Sequence, residues 1–438
     1  VTKGLKGADI LALGFMTFAF FLGAGNIIFP PLTGLDAASD LFPAIVGFLM
    51  TAVGLPLVTI VAVAMAGGGL ETLSKSLPKA LSMALCVAVY LILGPLFATP
   101  RAGLVAYQLG LTPFLNGPDW LTQALFSLGF FALTFYLAIR PGKLLSVVGK
   151  FITPLLLLLL AAVAVMLICH PIGAIGTSNA AWHQAPFAKG FLKGYMTMDT
   201  LGALLFGLVI VNALKAKGIE DRQLQFRYLC MAGTIAAVGL ALVYITLFFV
   251  GATSGHLVTN PKGGDEVLIP AIEALFGPAG LYLLAVVVGL ACLTTAVGLT
   301  SSCAEYFNET FGFNMKLVAL LVCIGSALVA NVGLNQLIAI SVPVLMFIYP
   351  VAIALVALRL FAGLVGEKRW GQQLVLGVTA FFALFDGLKA AKIPVPEAWL
   401  AHLPLFDAGL GWLTPALLAL LLMAMLKRAE QVREEVLE

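Results

Sequence analysis

Residues 317–358 run without a single Asp, Glu, Lys or Arg. A helix rises 1.5 Å per residue and the hydrocarbon core of a bilayer is about 30 Å thick, so roughly twenty apolar residues make one crossing. This stretch is long enough for two, and the turn-like Asn331-Val-Gly-Leu-Asn335 divides it. Further charge-free windows lie at 10–35, 41–70, 80–100, 120–139, 151–188, 228–261, 274–304, 370–385 and 408–426. One more apolar segment, about 191–212, carries Asp199 within it. Hydrophobic residues make up 61% of the chain and charged ones 10%, against about 25% charged in a soluble domain. Too little polar surface remains to cover a water-soluble globule, which excludes a cytosolic enzyme, a disordered chain and a secreted disulfide scaffold. A net charge of +3, scattered along the chain, excludes nucleic acid as a partner.

These windows predict an all-α polytopic membrane protein of about twelve helices: 9–34, 42–66, 78–107, 120–139, 143–169, 191–213, 227–251, 278–307, 315–332, 335–361, 370–390 and 409–427. Residues 264–276 read as a short amphipathic piece in a loop. With both termini inside, the inner segments hold eighteen Lys and Arg and the outer ones five, with Arg101 left inside the third helix. The positive-inside bias therefore places both termini in the cytoplasm. No cleavable leader is expected, because the first apolar segment lacks a small-residue cleavage pattern. The six cysteines form no CxxC pair and read as small packing residues; the four histidines are too dispersed for a metal motif and read as loop residues.

The most informative stretch lies halfway along the first helix: Phe21-Leu-Gly23-Ala24-Gly25-Asn26-Ile-Ile-Phe-Pro30-Pro31. Two glycines and an asparagine are poor helix formers. In hydrocarbon, freed N–H and C=O groups cost several kcal/mol unless something binds them. Carbonyls ending one half-helix can ligate a cation, and amides starting the next can bind a carboxylate. The alternative is that the glycines only let another helix pack closely. An inverted repeat demands a second break in the sixth helix, the first of the second set of five. There Thr197-Met-Asp199-Thr200-Leu-Gly202-Ala-Leu-Leu-Phe206-Gly207 puts an ionisable side chain and two glycines into an apolar segment. The expected organisation is a cytoplasmic start (1–8), a first repeat (9–169), an outer loop (170–190), a second repeat (191–361), two extra helices (362–427) and a cytoplasmic tail (428–438). Such a chain moves a solute by alternating access, with its site at mid-membrane.

The eighth helix holds five hydroxyl residues within nine positions: Thr294, Thr295, Thr300, Ser301 and Ser302. Some hydroxyls simply bond back to the i−4 carbonyl. Hard cations prefer oxygen ligands, so two of these hydroxyls with carbonyls loosened near Ala19 and Leu22 would form a neutral sodium site.

Gly23-Ala-Gly-Asn-Ile-Ile-Phe-Pro30, Gly94-Pro-Leu-Phe-Ala-Thr-Pro-Arg101, Tyr195-Met-Thr-Met-Asp-Thr-Leu-Gly202 and Val297-Gly-Leu-Thr-Ser-Ser-Cys-Ala-Glu305 together resemble the bacterial branched-chain amino acid:cation symporters of the amino acid–polyamine–organocation superfamily. The first and last segments are also similar to those of transporters with the LeuT-type fold. The resemblance implies a 5+5 inverted repeat with broken helices one and six. It implies import of leucine, isoleucine and valine driven by co-transported sodium. By position, it implies sodium ligation by the carbonyls of Ala19, Leu22 and Val297 and the hydroxyls of Thr300 and Ser301. The substrate's carboxylate and amine would meet the backbone around Phe21, Gly23, Ala24 and Gly25. Asn26 matches an asparagine that helps bind a second ion, and Phe206 would form a pocket wall. Asp199, Thr200 and Gly202 belong to the second break.

Arg101 and Asp199 both fall in the outer half and are expected to pair near the substrate; the alternative is that each snorkels into a wet vestibule. Glu305 reads as the inner end of the eighth helix, Asp386 and Lys389 as an interfacial i,i+3 pair, and Gly67–Gly69 as a turn or hinge. A channel would need a filter motif, a membrane enzyme clustered catalytic residues, and an ATP-driven pump a phosphate-binding loop; none is evident. Proton-coupled or exchange transport of neutral amino acids on the same fold remains the rival, with Asp199 or Glu305 carrying the proton. No obligate protein partner is evident besides the lipid bilayer.

Overall fold

The structure is a computed structural model. It describes residues 5–115, 117, 119–140, 153–178, 180–366 and 368–437. Each of the twelve expected segments contains helix, and the first, third and sixth are interrupted. The expected start of the fifth helix (143–152, with Lys143 and Lys150) and the N-terminal residues including Lys3 lie outside them.

The first crossing is split into α1 (Gly7–Phe21) and α2 (Ala24–Ala37). A single turn leads into α3 (Leu41–Leu49) and α4 (Leu55–Ala66), joined through a widened turn at Met50–Gly54. Gly67, at φ +70°, closes α4 as a left-handed cap, so the glycine triplet reads as a helix stop. The third crossing is α5 (Lys79–Leu91) and α6 (Ala98–Gly110). It is interrupted where Gly94 (ψ −113°) and Phe97 leave helical geometry, and the Thr99 hydroxyl donates to the freed Leu93 carbonyl at 2.9 Å. Next come α7 (Trp120–Ala138) and α8 (Thr153–Cys169).

The sixth crossing is α9 (Pro186–Tyr195) and α10 (Asp199–Ala216), bent by 42°. Then follow α11 (Arg222–Thr253), α12 (Gly264–Phe276), α13 (Pro278–Phe311), α14 (Met315–Ala330), α15 (Leu334–Leu360), α16 (Arg369–Ala390) and α17 (Leu413–Leu437). Among the described residues, seven helices are long and apolar enough to cross a membrane alone, and α9 with α10 makes an eighth. The 13 residues of α12 span about 20 Å and fall short of the hydrocarbon core. The mixed-charge tail from Lys427 continues α17 as helix, and Lys368 Nζ lies 2.6 Å from the Glu430 carboxylate.

Glycine sets how closely these helices approach. A methyl group on Gly34 would overlap the Phe248 carbonyl oxygen, and one on Gly251 the Pro31 carbonyl oxygen, so α2 and α11 touch backbone to backbone. Gly47 and Gly190 do the same for α3 against α9, and Gly264 seats α12 on Ile28 of α2. Small residues at such crossings are the membrane substitute for hydrophobic driving force. We expect Gly251→Leu to displace α11 from α2 and to leave little folded protein in detergent extracts, whereas Gly289→Leu, with open space around it, is tolerated. Fluorescence-detected size exclusion separates the two.

Asp386 and Lys389 do not pair with each other. Asp386 is buried and accepts from the backbone N–H groups of Gly411 and Trp412 at 3.3 and 3.1 Å, just before α17. Lys389 turns to Asp407 (3.5 Å) and to the face of Phe406. The carboxylate therefore anchors the entry to the last helix, a use that i,i+3 spacing does not reveal. Of the cysteines, Cys169 is exposed and the others are buried or partly buried. Glu305 is exposed near the end of α13.

Candidate functional site

The first break occupies Leu22 and Gly23, whose extended backbone (ψ 91° and −165°) ends α1 and starts α2. The Gly23 N–H donates to Asn26 Oδ1 at 3.0 Å, so the asparagine closes the turn with its own side chain. Among the described residues, no side chain caps the first N–H groups of α2. They point the positive end of a helix at the break.

The second break occupies Met196–Met198, before Asp199. The expectation that Asp199, Thr200 and Gly202 belong to this break is corrected: all three lie in the helix that follows it. The discontinuity is carried by Met198, a non-glycine residue at φ +65°. Such a conformation is costly for a side-chain-bearing residue and clusters at functional sites. Asp199 is the first residue of α10, where a carboxylate is favoured by the helix dipole.

The two breaks are joined by side chains. Asn26 Nδ2 donates to Asp199 Oδ2 at 2.7 Å and meets the Tyr244 hydroxyl, which itself donates to Asp199 Oδ2 at 2.8 Å. Thus α2, α10 and α11 share one buried polar knot; Asn26 is 1% exposed and Asp199 4%.

Arg101 enters from α6 and does not bond Asp199. Its Nη1 donates to the Met196 carbonyl at 2.6 Å and its Nη2 to the Thr197 carbonyl at 3.3 Å, while the guanidinium lies 5.3 Å from the centre of the Phe29 ring. The cation thus satisfies carbonyls released at the end of α9, the negative end of that half-helix. The Arg101 Nε is buried without a hydrogen-bond partner.

Between the breaks lies a cavity. Nine of the ten residues expected around the substrate line it: Phe21, Gly23, Ala24, Gly25, Asn26, Arg101, Asp199, Gly202 and Phe206. Thr200 does not; it is fully buried and its hydroxyl donates to the Thr51 carbonyl at 3.4 Å. Phe206 stacks on Phe20 at 5.0 Å and meets Phe21 edge-on at 6.0 Å, giving the cavity an aromatic wall. Phe20, Leu93, Thr197, Thr295 and Leu299 also line it, and sequence reasoning did not single them out as substrate contacts. Neither was Tyr244, a lone tyrosine in an apolar helix with no local signal of its partner.

The five residues expected around sodium are not drawn together in this way. Ser301 donates to the Ala138 carbonyl of α7 at 3.3 Å, and Thr300 is buried beside the Cys323 thiol of α14. The hydroxyl that reaches the Leu22 carbonyl is Thr295, at 3.3 Å. Helical geometry explains the difference: at 100° per residue, Ser301 projects well away from the Thr295 face, while Ser302 shares it. Ala19 and Val297 are buried near the break, and neither lines the cavity.

Residues 6–430 match the family described as branched-chain amino acid transport protein. The chain is 47% identical over 420 residues to the branched-chain amino acid transport system 2 carrier protein of Pseudomonas aeruginosa, covering 95% of this chain and 96% of that one. It is 42% identical over 430 residues to the branched-chain amino acid permease BrnQ of Escherichia coli K12, covering 98% of each. Among solved structures it is similar to MHP1, a nucleobase-cation-symport-1 family transporter (TM-score 0.61, 18% identity, 96% of this chain and 93% of that one). It is also similar to MhsT in complex with L-phenylalanine (TM-score 0.58, 18% identity, 94% and 98%). These two share its all-helical fold. The near-complete span of the family match and the high identity to the curated carriers lead to one conclusion: this chain belongs to the family of branched-chain amino acid transport proteins.

Proposed function

We propose that this chain imports leucine, isoleucine and valine across the bacterial cytoplasmic membrane by sodium-coupled alternating access, with both termini in the cytoplasm. The observation that carries the proposal is the cavity bounded by both helix breaks. One side offers uncapped backbone N–H groups at Ala24 and Gly25 and the guanidinium of Arg101, which suit a carboxylate. The other offers the Asp199 carboxylate, which suits an α-amino group. Phe20, Phe206, Leu93 and Leu299 leave only apolar surface for the side chain. Apolar walls discriminate by volume, worth about 1–3 kcal/mol per methylene, so the three branched substrates are accepted together. We expect Phe206→Ala to widen the pocket and to raise uptake of methionine and phenylalanine relative to valine, measured by competition against labelled leucine.

For the ion, a solved symporter of similar fold (TM-score 0.60, 13% identity) is described as sodium-coupled. The Leu22 carbonyl and the Thr295 hydroxyl provide two neutral oxygens at the first break. The ion set inferred from resemblance (Ala19, Leu22, Val297, Thr300, Ser301) differs from this pair in its hydroxyls. The Asp199 carboxylate is buried and makes no ion pair among the described residues, which favours a second reading in which a proton is the coupled ion.

Leucine uptake into proteoliposomes under a sodium gradient alone and a pH gradient alone separates these readings. The sodium gradient is expected to drive accumulation. Accumulation driven by pH alone would overturn sodium coupling. Under the same conditions, Thr295→Val is expected to raise the sodium concentration for half-maximal uptake about tenfold, equivalent to about 1.4 kcal/mol. An unchanged sodium response in Thr295→Val, with a shifted one in Ser301→Ala, would return the site to the set inferred from resemblance.

A further inference from the structure

A second built cleft lies at the other end of the helices, away from the breaks. It is formed by the segment after α4, the starts of α5 and α16, and the ends of α13 and α15. Two adjoining grooves meet there, one of them about 460 Å³, and Lys75, Ser76 and Arg369 line both. Lys79 lines the first groove and Arg359 the second. The one carboxylate on the lining among the described residues, Glu71, accepts from the Thr310 hydroxyl at 3.1 Å.

Three features make this a place for an anion. The cations come from separate elements and converge on one space. The N-termini of α5 (at Lys79) and α16 (at Arg369) both open onto it, and neither carries a side-chain cap. Helix N-termini with unfilled N–H groups attract phosphate oxygens. Finally, Ser76 is only 8% exposed, yet its hydroxyl has no hydrogen-bond partner among the described residues. A buried hydroxyl left unpaired is costly, which points to a ligand that completes it.

The flanks identify the source of the anion. Met83 lines the first groove, and Leu81, Trp370 and Leu374 on the same two helices, α5 and α16, also expose large apolar side chains. An occupant that satisfies both is an amphiphile with an anionic phosphate. The geometry points to a headgroup site for an anionic phospholipid of the inner leaflet, held by Lys75, Ser76, Lys79 and Arg369. Its placement in that leaflet rests on the orientation proposed above; the chemistry of the cleft does not. Basic pockets between helices at this depth are the recurring form of such sites.

The test uses the full chain in detergent. Its thermal midpoint is measured with phosphatidylglycerol, with phosphatidylcholine of the same acyl chains, and with glycerol 3-phosphate. Phosphatidylglycerol is expected to raise the midpoint by several degrees, and the other two to leave it unchanged. Lys75→Gln/Lys79→Gln/Arg369→Gln is expected to lose more than half of that shift while taking up leucine normally in phosphatidylcholine vesicles. An equal shift with phosphatidylcholine, or a full shift in the triple variant, would overturn the site. A full shift with glycerol 3-phosphate would replace the lipid by a soluble anion and so refute the proposal. Should the triple variant fold poorly, Arg369→Gln alone, scored by the number of phosphatidylglycerol molecules retained in native mass spectrometry, gives the same decision. The midpoint shifts and the retained-lipid count, which decide the site, are independent of whether leucine is the cargo.

Discussion

Asp199→Ala is expected to lower the initial rate of leucine uptake at least a hundredfold. The carboxylate accepts from Asn26 at 2.7 Å and from Tyr244 at 2.8 Å, and it ties the start of α10 to α2 and α11. A hydrogen bond to a charged group contributes about 1.5–3 kcal/mol, so losing two removes several kcal/mol from the knot between the breaks. It also leaves the donors of Asn26 and Tyr244 buried and unpaired. Asp199→Asn is nearly isosteric and separates structure from charge. We expect it to keep a thermal midpoint near that of the parent and still lose most uptake, because the negative charge facing the cavity is gone. Wild-type uptake by Asp199→Asn would show that the carboxylate serves only as a strut. Rates normalised to protein in the membrane, with the midpoint measured in parallel, make the distinction.

Gly25→Val has the second large expected effect. A Cβ at Gly25 would lie 2.6 Å from Arg101 Nη2 and 3.1 Å from the Thr197 Cα. The first neighbour is a side chain that could swing away. The second is backbone of the opposite break, which cannot move without releasing the turn at Met198. The substitution therefore fills the cavity and pushes the two breaks apart. We expect uptake to fall below detection, with a smaller loss for Gly25→Ala. Gly23→Ala is expected to be milder still, because its Cβ meets the Thr295 side chain at 3.1 Å, a group with rotamer freedom. Equal uptake by Gly25→Val and the parent would place the cargo elsewhere.

Much of the architecture is legible before any coordinates, because the bilayer enforces long charge-free helices that are easily seen. The first break is legible too: two glycines and an asparagine mark it, and it falls at Leu22–Gly23. The second break is displaced by several residues. Its backbone reversal is carried by Met198, a residue type that gives no local warning, and distant donors from Arg101, Asn26 and Tyr244 stabilise the carbonyls and the carboxylate around it. The interruption of the third crossing at Gly94–Phe97 could have been found from Gly94-Pro95, since proline removes a donor and disrupts the turn. What delivers Arg101 to the site is this kink.

The orientation of helix faces is harder to read. Thr295, Thr300 and Ser301 are equivalent as composition, and their assignment to a neighbour depends on the rotation of α13, which a cluster of hydroxyls does not specify. Tyr244 and Asp199 lie 45 residues apart in the chain, and no spacing rule connects them.

A structure with bound leucine tests the central claim most directly. The account predicts density for the amino acid between Gly23–Gly25 and Thr197–Asp199, with its carboxylate near the start of α2 and its side chain against Phe20 and Phe206. Density instead in the wholly apolar cavity lined by Leu156, Leu160, Leu247 and Val288, with the space between the breaks unfilled, would contradict it.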